Sequence, residues 1–225
     1  MRGARAFAWL GGGLFVASLA CCTWWYLFRF GADRPWTGFA PVAWDAALVT
    51  IFALHHSAFA RDSVKERLAP IVGGQLRSTY VWIASLLLFA VCGLWRHVGG
   101  TLRDHHGLLA GIDVLIQLLG VRLIARSVST IDPLALAGIR PRSHDDTLQI
   151  AGPYRFVRHP LYLGWMVAVF GSPHLTGDRL TFAVLTSCYL VIAIPWEERS
   201  LRAAFGEDYA RYAAEVRWRI VPFIY

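Results

Sequence analysis

From Ala6 to Phe28 the chain runs through twenty-three residues without one charged side chain. At about 1.5 Å of rise per residue, a helix of that length reaches across the ~30 Å hydrocarbon core of a bilayer. A helix is the natural form for it, because lipid offers no partner to an open backbone polar group. Further apolar runs follow at 42–60, 78–95, 107–125, 160–174 and 180–196. The fifth is short and holds Gly164, Gly171 and Pro173. It reads as a tilted span, or as half of a tight hairpin with the sixth.

The expected fold class is all-α: a polytopic helical membrane protein with five or six transmembrane helices, six being the number adopted. A cytoplasmic amphipathic helix at the C-terminus completes it. Here Leu201, Phe205, Tyr209 and Tyr212 recur at helical spacing, with a break expected near Gly206. The chain is expected to be a single integral membrane domain over 1–225, with four spans in 1–125 and a loop, helical hairpin and tail in 126–225.

Composition agrees. The chain is 56% hydrophobic and only 16% charged, the balance of a polytopic membrane protein. Trp24, Trp25, Trp95 and Trp196 stand near the ends of apolar runs, where amphipathic rings favour the interface. A net charge of +7 would by itself suit nucleic acid or acidic lipid, but its distribution decides. The N-terminal tail, 61–77, 126–159 and the tail after Glu197 hold two, four, five and five Lys or Arg. The intervening loops 29–40, 96–106 and 177–179 hold two, two and one. The positive-inside rule therefore puts both termini and the 126–159 loop in the cytoplasm, most simply at a bacterial inner membrane. Membrane lipid, not nucleic acid, is the expected macroscopic partner; the oligomeric state is left open.

Arg2 and Arg5 ahead of the first run resemble a secretory leader. The run exceeds the ~7–15 residues of a leader's apolar core, so a retained span is expected. Cys21, Cys22, Cys92 and Cys188 lie in apolar runs without metal-ligand spacing and read as small buried hydrophobes. No metal site is expected.

Several polar groups interrupt the apolar pattern. His55 and His56 are adjacent, so their side chains diverge on a helix and do not form an i, i+4 ligand pair. An interhelical hydrogen bond is their commoner use. Asp113 and Gln117 share a helical face and are interior polar candidates, whereas Arg122 is near enough to the cytoplasm to snorkel. His105 and His106 read as surface.

The most polar boundary is "GPYRFVRHPLYLG", residues 152–164. Pro160 is a good first helical residue because its missing N–H is no loss there. Arg155 and Arg158 either snorkel to lipid phosphates or, with His159 and a helix N-terminus, build an interfacial pocket for a charged ligand. Glu197 and Glu198 follow the last run directly. They are either a solvated helix start or a binding point for a cation.

Together, "GPYRFVRHPLYLG", a span, and "EERSLRAAFGEDYARY" resemble the membrane-embedded S-adenosylmethionine-dependent methyltransferases over residues 145–225. That group includes isoprenylcysteine carboxyl methyltransferase and the phospholipid methyltransferases. "ALHHSAFARDSVKERLAP", "RSTYVWIASLLL" and "SPHLTGDRLTFAVLTSCYLVIA" resemble its methanethiol S-methyltransferase and NnrU-like branch. The resemblance implies S-adenosyl-L-methionine as cofactor, held by Thr147, Leu148 and Gln149 and walled by Tyr154, His159, Pro160, Leu161 and Tyr162. It implies that Glu197 meets the cofactor's amino group, and places the cofactor site in 126–225. The catalytic candidates are His159 and Arg158.

The acceptor it implies is a small thiol such as methanethiol. The alternatives are a lipid or isoprenoid carboxylate or amine, or a non-catalytic NnrU-like protein. Two departures bear on this. The carboxyl methyltransferases are expected to carry an arginine four residues before the first glutamate, where this chain has Ala193. The connector "STIDPLALAGIRPRSHDD" also differs from that of the methanethiol branch. Attack of a thiolate on a sulfonium converts two opposite charges into neutral products, which a low-dielectric pocket favours. The thiol must first lose its proton, from a pKa near ~8.5 for a cysteine-like group.

Overall fold

The computed structural model describes residues 2–60, 62–130, 134, 137–139 and 147–225. The charged stretch at 142–146, part of the long loop singled out above, lies outside the described residues. The chain divides into two compact units, Met1–Gly100 with Pro133–His144, and Thr101–Asp132 with Asp145–Tyr225.

In the first unit, α1 (Arg2–Trp24) continues into a π-helical turn at Trp25–Arg29. It packs on α4 (Leu76–Gly93). The contact is close because Gly11 faces Trp82, whose ring stacks on Phe7 at 5.5 Å and whose Nε1–H donates to the Phe7 carbonyl at 3.0 Å. Between them come α2 (Ala40–Ala60) and α3 (Asp62–Val72). Asp45 on α2 is fully buried, and its carboxylate accepts the Arg96 backbone N–H at 2.9 Å. His55 and His56 are used as interhelical contacts: His55 stacks on the Tyr80 ring at 5.4 Å, and His56 hydrogen-bonds the Tyr80 hydroxyl.

In the second unit, strand β1 (Thr101–Asp104) leads into α5 (Gly107–Ser129). A 3-10 turn at Gly152–Arg155 precedes α6 (Pro160–Phe170), β2 (His174–Thr176) and the 39-residue α7 (Gly177–Glu215). Helices α5 and α6 approach almost backbone to backbone. A Cβ on Gly120 would lie 2.5 Å from the Ala168 nitrogen, and one on Gly164 would lie 2.9 Å from the Gly120 carbonyl oxygen. Small residues permit that approach, which is how helices associate where lipid removes the hydrophobic drive.

Among the described residues, five helices are long and apolar enough to cross a membrane: Arg2–Arg29, Ala40–Phe59, Val64–Gly93, Gly107–Ser129 and Gly177–Glu215. The chain is thus a polytopic helical membrane protein. The run at 160–174 is not a spanning helix. Its eleven-residue α6 rises only ~16 Å, and the chain then leaves the helix at Gly171 and runs through Pro173 into β2, which pairs antiparallel with β1. The whole segment runs beside α5. Its exposed carbonyls are met by side chains: Gln117 donates to Ala168 at 2.9 Å, and Arg103 donates to Phe170 at 2.8 Å and Ser172 at 2.5 Å. Non-helical backbone at membrane depth requires that kind of internal satisfaction. Asp113, the other interior candidate, pairs with His105 at 2.6 Å, so His105 is not a bare surface residue.

The tail is one continuation of α7, bent where Gly206 leaves helical geometry at φ 51°, ψ −123°. Beyond Glu215 the chain folds back. All four cysteines are free, and Cys188 is exposed on α7, unlike the buried Cys22 and Cys92.

Candidate functional site

Arg158 and His159 precede Pro160 at the entry to α6, and the fold-back of the tail pairs with them. The Arg158 N–H donates to the Trp218 carbonyl at 2.9 Å, and the His159 N–H donates to the Arg219 carbonyl at 2.8 Å. That pairing brings the RHP segment, the glutamate pair on α7 and the end of the tail into one cluster within the second unit.

Arg158 is the fastener of the cluster. Its Nε donates to Glu198 Oε1 at 2.7 Å, and its Nη1 donates to the Ala213, Val216 and Arg217 carbonyls at 3.0–3.3 Å. It therefore satisfies carbonyls orphaned at the end of α7 while pairing with a glutamate four turns upstream. Arg219 Nε reaches Glu198 Oε2 at 3.4 Å. Both side chains of the Arg158–Glu198 pair are buried.

The two adjacent glutamates have opposite surroundings. The Glu198 side chain is 4% exposed and held between two arginines, whereas that of Glu197 is 44% exposed. Glu197 Oε2 accepts the Tyr162 hydroxyl at 2.5 Å and lies 3.5 Å from His159 Nδ1. His159 is buried and stacks on Tyr162 with ring centroids 5.2 Å apart. Its Nε2 makes no hydrogen bond and lies 3.5 Å from Glu198 Oε1. Burial pulls the imidazole pKa down, but the two nearby carboxylates of Glu197 and Glu198 outweigh it, leaving His159 above its ordinary value. The Tyr154 phenol is pushed up to about 12 by burial and by the charge of Glu197, so it stays neutral. Its carbonyl accepts the Tyr212 hydroxyl at 2.8 Å, tying the 3-10 turn to the tail.

Of the residues expected at the site, the structure thus gathers Tyr162, His159, Arg158 and Glu197, with Pro160 and Leu161 at the start of the same helix. Thr147 and Gln149 lie exposed on the approach to the 3-10 turn. Gln149 donates to the Thr147 carbonyl at 3.4 Å, and among the described residues no hydrogen bond ties Thr147, Leu148 or Gln149 to the cluster. Sequence reasoning missed Glu198 as the anchor, together with Arg219 and Tyr212. The available signal was the second acidic residue itself, since an apolar helix carries an unpaired carboxylate only at high cost.

The fold and this cluster define a helical integral membrane protein with an open carboxylate at one end of its spans, backed by a buried ionic clamp. The family model described as phospholipid methyltransferase matches residues 114–208. A methanethiol S-methyltransferase of Crocosphaera subtropica is 34% identical over 191 residues, covering 80% of this chain and 74% of the relative. One from Mycobacterium tuberculosis is 34% identical over 183 residues, covering 76% and 75%. Nurim of Xenopus laevis is 26% identical over 164 residues, covering 65% and 57%. The chain belongs to this family of membrane methyltransferases. No solved structure matches it.

Proposed function

We propose that the protein transfers a methyl group from S-adenosylmethionine to a small thiol such as methanethiol, giving a thioether, S-adenosylhomocysteine and the proton lost by the thiol. The observation that carries the donor half is the contrast between Glu197 and Glu198: one carboxylate is enclosed by arginines, and its neighbour is held open. A half-exposed anion beside aromatic rings suits a ligand with a cationic amine and a sulfonium.

When bound, S-adenosylmethionine supplies an electrophilic methyl on sulfur. Glu197 binds its amino group, and Tyr162 orients that carboxylate through the 2.5 Å hydrogen bond. Arg158, Glu198 and Arg219 hold the backbone that presents His159, so Arg158 acts as a positioning residue. Tyr154, Pro160 and Leu161 would supply walls, and Thr147, Leu148 and Gln149 would line the approach to the donor. His159 sets the charge balance: protonated, it neutralises part of the field that attracts the donor. The cofactor site thus lies in 126–225, on the cytoplasmic face of a bacterial inner membrane, with both termini on that side.

The acceptor reading is supported by the 34% identity to two methanethiol S-methyltransferases and by Ala193, which offers no cation to an isoprenoid carboxylate. Its test is headspace detection of methylated thiol from cells expressing the chain. A thioether above the vector background is expected. Methylated lipid without a thioether would replace the thiol with a lipid acceptor, and neither product would end the enzyme reading.

A further inference from the structure

Helix α5 uses only one face inside the second unit. Gln117, Gly120 and Ile124 meet α6. On the opposite face Leu108, Ile112, Leu115, Leu119, Arg122 and Arg126 fall four, three, four, three and four residues apart, and all are exposed. That spacing is a single stripe along the helix. It is apolar for most of its length and ends in two arginines where the helix meets the cytoplasmic boundary.

A cleft of about 520 Å³ opens at that end, lined by Leu123 and Arg126 of α5 and by Pro153, Arg155 and Phe156 of the 3-10 turn. A second cleft of about 470 Å³ adjoins it at Arg155 and Phe156 and reaches Arg217, Trp218 and Phe223. Arg126 and Arg155 form no ion pair among the described residues. Phe156 and Phe223 are 73% and 85% exposed although they lie beyond the spans. Aromatic side chains so placed gain by dipping into the interface.

From these observations we infer that the stripe and its cleft bind an anionic phospholipid. The phosphate sits between Arg126 and Arg155, and an acyl chain runs along Leu119 and Leu115. The charge is complementary: two guanidinium groups without an ion pair among the described residues suit a phosphodiester through paired N–H donors, and the cytoplasmic leaflet is where anionic lipid concentrates. The apolar stripe supplies what a soluble phosphate would not use. Arg126 and Arg155, which hold the phosphate, make no contact in the donor cluster, so the inference stands whether or not the methyl-transfer reading does.

The test is thermal melting of the purified full chain in neutral detergent, titrated with phosphatidylglycerol, phosphatidylcholine or inorganic phosphate. Phosphatidylglycerol is expected to raise the melting temperature by several degrees and the other two to leave it unchanged. Salt at about 0.5 M, where screening is strong, is expected to erode the shift. The double variant Arg126→Gln/Arg155→Gln is expected to lose it, while the control Arg211→Gln keeps it. Equal stabilisation by phosphatidylcholine, an equal effect of inorganic phosphate, or a shift that survives salt would each overturn the inference. So would a double variant that keeps the full shift, or self-association through this face with no lipid effect. The lipid and salt comparisons on the unaltered chain decide the matter even if the double variant fails to fold.

Discussion

At the scale of single residues the account rests on two neighbouring carboxylates with different work. Glu198 is buried against Arg158 and Arg219, so Glu198→Gln leaves a buried guanidinium short of its counter-charge. Breaking such a pair costs roughly 3–5 kcal/mol, and a clear fall in melting temperature is expected even without ligand. Glu197→Gln removes a half-exposed group and is expected to leave the melt nearly unchanged. His159 adds a pH dependence of two signs. Its native pKa lies above the ordinary value of 6.5, so its proton stabilises the fold fully below that value and the benefit is lost as pH rises through the native one. Melting temperature of the ligand-free protein should therefore fall on that rise. Donor affinity should increase over the same window, because deprotonation removes a positive charge beside the site. Isothermal titrations at several pH values check the second sign, and affinity that weakens with rising pH would refute it.

At the scale of elements, the site depends on how α6 is hung and how α7 turns back. Gly120→Val places side-chain atoms where the Ala168 backbone stands, and overpacking of that kind costs about 1–3 kcal/mol. Because α6 carries Pro160 to Tyr162 at its start, thermal melting and donor binding are expected to suffer together. Gly206 sits at a backbone geometry open essentially to glycine alone, and Gly206→Ala is expected to lower stability by about 1–3 kcal/mol. These elements also show where sequence reading stopped. The apolar runs, the RHP boundary, the Gly206 break and the glutamate pair were all legible, since each is a local pattern of charge, period or conformational need. The half-helix at 160–170 was ambiguous: hydropathy does not distinguish a spanning helix from a short helix followed by non-helical chain whose carbonyls are met by Arg103 and Gln117. The Arg158–Glu198 clamp was not legible either. It joins residues forty apart through a fold-back that no periodicity announces, and Arg158 therefore read as a lipid-facing or catalytic cation.

At the scale of the whole molecule, the proposed reaction brings a water-soluble cationic donor and an apolar acceptor to one reaction centre. The open carboxylate at the end of the spans suits delivery from the cytoplasm, and the spans suit an acceptor that partitions into lipid. Reporter fusions at residues 1 and 225 are expected to score cytoplasmic; a fusion scoring on the far side would reverse the topology and move the donor site away from its cofactor supply. The most direct test of the central claim is calorimetric titration of the detergent-purified protein with S-adenosylmethionine, comparing the unaltered chain with Glu197→Gln. We expect binding to the first and at least tenfold weaker binding to the second, a loss of about 1.4 kcal/mol, with both proteins melting alike. Equal affinity in the two, or no binding to the unaltered chain, would contradict the assignment of Glu197 as the donor's counter-charge.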